Sequence, residues 1–222
     1  MLEAVFFDLD GTLVDTAPDF YVVLNQVLEA HGHPPVSYQA VRATVSNGAR
    51  ALTELGFGLA PGDDGFDRRL DDLLEAYGRR LDVDTRLFEG MAESLAWLES
   101  NDLPWGVVTN KPERFTRPVL AGLGLLERAV AVICPDQVAE RKPHPEGLLK
   151  AAATANANPV HCLYVGDHLR DIQAGLNAKM VTATAAFGYV DADDNPRAWP
   201  ADHYLERGED LPALLRSLNQ DD

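Results

Sequence analysis

The chain has 222 residues, 46% of them hydrophobic and 24% charged, a balance that suits a globular protein with a sizeable core, built as one domain or as a domain carrying an insert. No apolar run is long enough to cross a bilayer as a helix. The formal net charge of −16 disfavours nucleic acid and anionic membrane surfaces as partners, and any anionic substrate would need cations gathered locally around it.

Residues 4–7 form a short apolar run that ends at acidic residues, as a buried strand does. The stretch before it has no basic region and meets an Asp within a few residues, so no signal peptide is expected. Residues 16–87 then read as three helices, 20–30, 38–55 and 66–81, with no strand, the last two separated by a Gly-, Pro- and Asp-rich turn over 58–65. Beyond them strands and helices alternate. A helix over 91–99 puts Met91, Leu95 and Leu98 on one face; a strand follows over 105–109, and a helix over 112–123 opens on a proline. The alternation continues with a strand over 130–134, a helix over 145–155, a strand over 162–166, a helix over 169–178 and a strand over 180–184. Short unbroken apolar strands are buried on both faces, and strands alternating with helices make βαβ units. The expected fold is α/β: a Rossmann-like parallel sheet core of residues 1–15 and 88–222, with a helical domain, 16–87, inserted after the first strand and hinged near 16–19 and 82–88. Cys134 and Cys162 lie in apolar runs and read as buried free thiols of a reducing compartment, which implies a cytoplasmic protein.

Four strand-to-loop junctions carry residues with chemical potential. The first is Asp8-Leu9-Asp10-Gly11-Thr12, where the i, i+2 spacing puts both carboxylates on one side of an extended chain; a solvated strand end followed by an Asp-Gly turn is the plainer alternative. At the second, Thr109-Asn110-Lys111-Pro112, a hydroxyl and main-chain amides at a helix start can hold phosphate oxygens, although Thr and Asn also serve simply as caps. In the third, Arg141-Lys142-Pro143-His144-Pro145, two prolines restrict the backbone and could aim Lys142, which could equally be an exposed loop lysine. The fourth, Gly166-Asp167-His168-Leu169-Arg170-Asp171, offers two more carboxylates; Asp171 could instead favour a helix N-terminus. Carboxylates crowded together repel unless a cation sits among them, and hard oxygen ligands without a His or Cys cluster point to Mg²⁺.

In this order, the four motifs resemble those of the haloacid dehalogenase-like hydrolase superfamily, over most of the chain from Asp8 to Asp171. The resemblance implies an Mg²⁺-dependent phosphatase acting on a small phosphorylated metabolite. Asp8 would be the nucleophile that becomes an aspartyl-phosphate and Asp10 the general acid/base. Thr109 would be the phosphate-binding hydroxyl, with Asn110 beside it in the substrate site, and Lys142 the lysine that steadies nucleophile and phosphate. Asp8, the Asp10 main-chain carbonyl and Asp167 would hold the metal, supported by Asp171. The inserted helices resemble the family's cap, and Ser46-Asn47-Gly48-Ala49-Arg50, which interrupts a helical pattern, resembles the cap loop of phosphoglycolate phosphatase-like members. Arg50 could clamp a substrate carboxylate or be an exposed helix arginine. Finer stretches, among them Trp105 to Pro112 and Phe187-Gly188-Tyr189-Val190, are similar to the bacterial N-acetylmuramic acid 6-phosphate phosphatases of peptidoglycan recycling. Phosphoglycolate and the amino-sugar phosphate are thus both candidate substrates. A sugar phosphomutase of the same superfamily and a non-catalytic phospho-ligand sensor stay open; a receiver-type signalling domain fits poorly with the helical insert. The expected assembly is a monomer or small homo-oligomer. Lys179 stands where relatives often have a helix-capping Gly, which puts the local turn in question.

Overall fold

The computed structural model describes residues 1–190 and 194–220. After strand β1 (Ala4–Phe7) come a two-residue strand β2 (Val14–Asp15), helices α1 (Ala17–Ala30), α2 (Tyr38–Thr44), α3 (Gly48–Phe57) and α4 (Phe66–Gly78), and the short strand β3 (Arg86–Leu87). The alternating part follows as α5 (Met91–Ser100), β4 (Trp105–Val108), α6 (Glu113–Gly122), β5 (Ala131–Ile133), α7 (Glu146–Thr154), β6 (Cys162–Gly166), α8 (Leu169–Asn177), β7 (Val181–Ala185), β8 (His203–Leu205) and α9 (Leu211–Gln220).

Every residue of β1 is apolar and fully buried, so it can only lie inside a sheet covered on both faces. It does: the six-stranded sheet runs β5-β4-β1-β6-β7-β8, with every pair parallel. On one face Val5, Phe7, Val107, Leu163 and Val165 pack with apolar residues of α5, α9 and the inserted helices. On the other, Phe6, Val108 and Tyr164 meet Leu148 and Ala151 of α7 and Ala174 of α8. The register sets Phe7 opposite both Val107 and Val165. The residues that follow these strands therefore emerge together at one end of the sheet, where open α/β folds place their sites.

The inserted helices join the sheet through two adjacent crossings. Strands β2 and β3 pair antiparallel, Val14 with Leu87, so entry and exit run side by side. Asp19 of α1 is fully buried at this junction. Its carboxylate accepts from the amides of Asp84 and Thr85 and from Thr85 Oγ1, and lies 2.9 Å from Arg80 Nε. A buried carboxylate needs such a set of partners, and here they tie the first turn of the insert to its exit.

Several features differ from the expectation, strand β2 and helix α9 among them. The helix expected over 38–55 is interrupted by a 3₁₀ turn, Val45–Asn47, because Gly48 takes φ 81°, ψ −177°, a conformation open to glycine and not helical. The insert thus holds four helices, and β3 lies in a stretch expected to lack strands. The edge strand β8 went unforeseen because its sequence, His203-Tyr204-Leu205, has no unbroken apolar run.

Lys179 adopts the turn that a glycine would. Its φ is 61°, and its amide bonds to Leu176 O at 3.0 Å while Met180 N bonds to Gly175 O at 3.0 Å, the paired bonds of a Schellman cap. A side chain in left-handed backbone costs about 1–2 kcal/mol, part of which glycine's greater unfolded-state freedom offsets. Lys179→Gly is accordingly expected to raise stability by about 1 kcal/mol, seen as a higher urea midpoint at unchanged slope; a lower midpoint would contradict this.

Candidate active site

Asp8 follows β1 directly, and its amide bonds to Val165 O at 2.9 Å, so the sheet fixes its position. Lys142, buried in the loop before α7, places Nζ 2.8 Å from Asp8 Oδ1 and 2.7 Å from Asp171 Oδ1. The same ammonium donates to Val108 O at 3.0 Å and Tyr164 Oη at 2.8 Å. Burial alone would weaken its charge, but Asp171 and Asp8 outweigh it and hold the Lys142 pKa above the usual lysine value. Asn110 aims this loop: its Nδ2 donates to Lys142 O at 3.2 Å and its Oδ1 accepts from Lys142 N at 3.1 Å. Both ends of the Asn110 amide thus bind Lys142's main chain, a part the sequence reading had not given it. Thr109, after β4, accepts from Lys111 N through Oγ1 at 3.1 Å, which leaves the hydroxyl proton to point elsewhere.

Asp167 follows β6 and Asp171 sits in the first turn of α8, where its Oδ2 accepts from His168 N at 3.1 Å. Asp167 accepts from Thr12 Oγ1 at 3.1 Å, from Tyr189 N at 2.9 Å and from Ser46 Oγ of the insert at 3.1 Å. Gly11 and Gly188 allow this crowding, since a Cβ at either would fall within 2.5 Å of Asp167 atoms. Asp8, Asp167 and Asp171 are all buried, and one carboxylate oxygen of each lies within 4.8 Å of the others. Burial, then the charges of Asp8 and Asp171, push the Asp167 carboxyl up to about 7, and burial raises that of Asp171. Lys142 pairs with two of these three acids, Asp8 and Asp171, and Asp167 has no such ion pair among the described residues. A hard, all-oxygen donor set with surplus negative charge suits a divalent cation.

This predicts a pH signature. A carboxyl raised in the fold from 3.8 to about 7 contributes stability that is complete below pH 4 and lost as pH rises through about 7. A divalent ion should reverse that loss by taking the proton's place. The rise in melting temperature on adding Mg²⁺ to EDTA-treated protein should therefore be larger at pH 7.5 than at pH 5. An equal rise at both would count against a metal held by these acids.

Asp10 faces elsewhere. Its Oδ1 accepts from Thr16 Oγ1 at 2.6 Å and from Lys111 Nζ at 2.9 Å. Its carboxylate is therefore not part of the three-acid cluster. Lys111 is a site residue that the sequence reading passed over, although it stands inside the Thr109-Asn110-Lys111-Pro112 motif.

These groups open into a cavity of about 590 Å³ between the sheet and the inserted helices. Asp8, Asp10, Thr109 and Lys142 line it, as do the apolar Phe20, Leu70, Leu74, Tyr77 and Phe115. Arg50, Arg114, Arg141 and Arg170 also line it. With Lys111 and Lys142 they place six of the chain's 19 lysines and arginines in one cavity, which answers how so acidic a chain could receive an anion. Arg50 is exposed at the start of α3, on the cavity side of the broken helix. The insert sits closed against the core: Ser46 reaches Asp167, Arg170 donates to Ser46 O at 2.5 Å, and Arg42 donates to Phe187 O at 2.8 Å. Ser46 and Arg170 carried no separate signal in the sequence, because their roles depend on how the two parts dock.

Comparison with known proteins identifies the family. The model of the haloacid dehalogenase-like hydrolase family matches residues 5–185. An N-acetylmuramic acid 6-phosphate phosphatase of Pseudomonas putida is 45% identical over 216 residues, 97% of each chain. A phosphoglycolate phosphatase of Xanthomonas campestris pv. campestris is 38% identical over 208 residues, 94% of each chain. Among solved structures, a protein of Haemophilus somnus described as a predicted phosphoglycolate phosphatase superposes with a TM-score of 0.84 at 24% identity, covering 96% of this chain and 98% of its own; at that identity it shares the fold.

Proposed function

The chain belongs to the haloacid dehalogenase-like hydrolase family and is a phosphatase, and from that premise we propose that it hydrolyses N-acetylmuramic acid 6-phosphate through an aspartyl-phosphate on Asp8. The observation that carries the substrate choice is the cavity. Within its total of about 590 Å³ it offers a nucleophile, a hydroxyl and a buried lysine together with apolar side chains and arginines, which is room for a substituted sugar bearing a second acid. Phosphoglycolate would fill only a small part of that space. The P. putida relative named for the sugar phosphate supports the same choice.

In the proposed reaction an Asp8 carboxylate oxygen attacks phosphorus, and the bond from phosphorus to the sugar oxygen breaks as Asp10 delivers a proton to that oxygen. Asp10 then takes a proton from water, whose oxygen attacks phosphorus and releases phosphate and the free Asp8 carboxylate. Two displacements replace one difficult hydrolysis. Thr109 and Lys142 hold the phosphoryl oxygens, and Lys142 also fixes the attacking carboxylate at 2.8 Å. Asp8, the Asp10 carbonyl and Asp167 would hold Mg²⁺, with Asp171 in support; when bound, the ion neutralises charge on the phosphoryl group. Residues 16–87 act as a cap over the core of 1–15 and 88–222 and keep bulk water out. The enzyme works in the cytoplasm, where the buried thiols of Cys134 and Cys162 stay reduced.

The test is phosphate release with Mg²⁺ from N-acetylmuramic acid 6-phosphate, phosphoglycolate and p-nitrophenyl phosphate. We expect kcat/KM for the sugar phosphate to exceed that for phosphoglycolate by about tenfold or more, a difference that one bidentate contact and one buried apolar face can supply. Arg50→Ala should lower it further on the sugar acid than on the aryl ester. A preference for phosphoglycolate would replace the substrate, and an isomerised sugar phosphate without free phosphate would make the enzyme a mutase. No release from any of the three, with EDTA making no difference, would end the proposal.

A further inference from the structure

Lys111 is the best-enclosed cation of the site apart from Lys142, and the phosphoryl-transfer roles leave it unassigned. Its side chain is 6% exposed. The ammonium lies 2.9 Å from Asp10 Oδ1 and 3.3 Å from Oδ2, and donates to Tyr77 Oη of α4 at 2.8 Å. It also sits 4.7 Å from the Tyr77 ring centre and 5.1 Å from that of Phe20, two rings stacked 3.8 Å apart. Desolvating an ammonium is costly, and these contacts offset the cost while leaving it a single resting place. All its partners but one belong to the helical insert. The exception is Asp10, whose other hydrogen-bond donor, Thr16, is the residue just before α1.

From this we propose that Lys111 is a positioning residue, which holds the Asp10 carboxylate in register with the cap so that proton transfer is competent only when the cap is seated. Asp10 bonds to Thr16 at the hinge and to a lysine anchored on Tyr77. A cap that lifts takes Tyr77, Phe20 and Thr16 with it, leaving the carboxylate without fixed partners. The effect is exerted through Asp10, and the proposal rests on the reading of Asp10 as the proton-transfer group. A cap–core staple alone would hold the domains together but would not favour one chemical step over another.

The two steps can be separated with p-nitrophenyl phosphate and Mg²⁺. Nitrophenolate leaves without a proton, so phosphorylation of Asp8 does not need Asp10, whereas attack of water on the aspartyl-phosphate does. Rapid mixing should show, for Lys111→Met, a burst of nitrophenolate at a rate within about threefold of wild type and a steady-state rate at least about tenfold lower, with KM no higher. Asp10→Asn should give the same pattern more strongly. Tyr77→Phe, which keeps the ring stack and the fold, should lower the steady state in the same sense but less. An equal loss of burst and steady state in Lys111→Met, a raised KM with unchanged kcat, or a Tyr77→Phe variant identical to wild type would overturn the proposal. If Lys111→Met does not fold, Tyr77→Phe alone decides. Asp10→Asn indistinguishable from wild type would remove the underlying reading of Asp10, and the proposal with it.

Discussion

Asp8→Asn is expected to lower kcat by about 10⁴-fold or more, the scale seen when a covalent nucleophile is removed, without unfolding the protein. The amide has the carboxylate's shape but cannot carry the phosphoryl group. Lys142 would keep Asp171, Val108 O and Tyr164 Oη as partners. One of three crowded acids would be neutralised, so the repulsion that adds to burial in raising the Asp167 carboxyl would ease. The urea midpoint of metal-free Asp8→Asn should therefore equal or exceed that of the wild type. Residual activity above about one per cent would argue against nucleophilic attack by this residue.

Lys142→Met is the second large effect, and it falls on stability as well as turnover. The substitution keeps much of the side chain's length but leaves Asp8 and Asp171, both buried, without their cation. Removing one partner from a buried ion pair costs about 3–5 kcal/mol, because the orphaned charge stays out of water. Two acids lose their partner here, and Tyr164 Oη and Val108 O lose a donor. We expect the metal-free variant to be destabilised by at least that amount in urea and Mg²⁺ to restore more stability to it than to the wild type. A variant as stable as wild type without metal would show that the lysine does not balance the acids.

The contrast between these two residues and Lys111 shows what the sequence could reveal. Asp8, Thr109 and Asp167 each follow an apolar strand, and parallel strands in register bring their ends together whatever else the chain does. Lys142 was visible because two prolines follow it closely, and its loop is secured by Asn110. The helical insert was legible from periodicity, yet the break at Gly48 divided one expected helix into two because a single backbone conformation outweighs the apolar pattern. Lys111, Ser46 and Arg170 act through contacts between insert and core. All three stand inside stretches the sequence marked, but their individual roles depend on docking, which no spacing within either part encodes. The arginines that edge the cavity are similarly scattered along the chain from Arg50 to Arg170 and gather only in the folded molecule.

The central claim is that Asp8 carries the phosphoryl group between the two displacements, and it is most directly tested by catching that species. Asp10→Asn should still form the aspartyl-phosphate from p-nitrophenyl phosphate but hydrolyse it slowly. Acid quenching during turnover, followed by peptide mass spectrometry, should then find one phosphoryl group on the peptide containing Asp8, labile to hydroxylamine and absent when Asp8 is also replaced by Asn. Phosphoryl label on another residue, or none on the protein while phosphate is still released, would contradict the account.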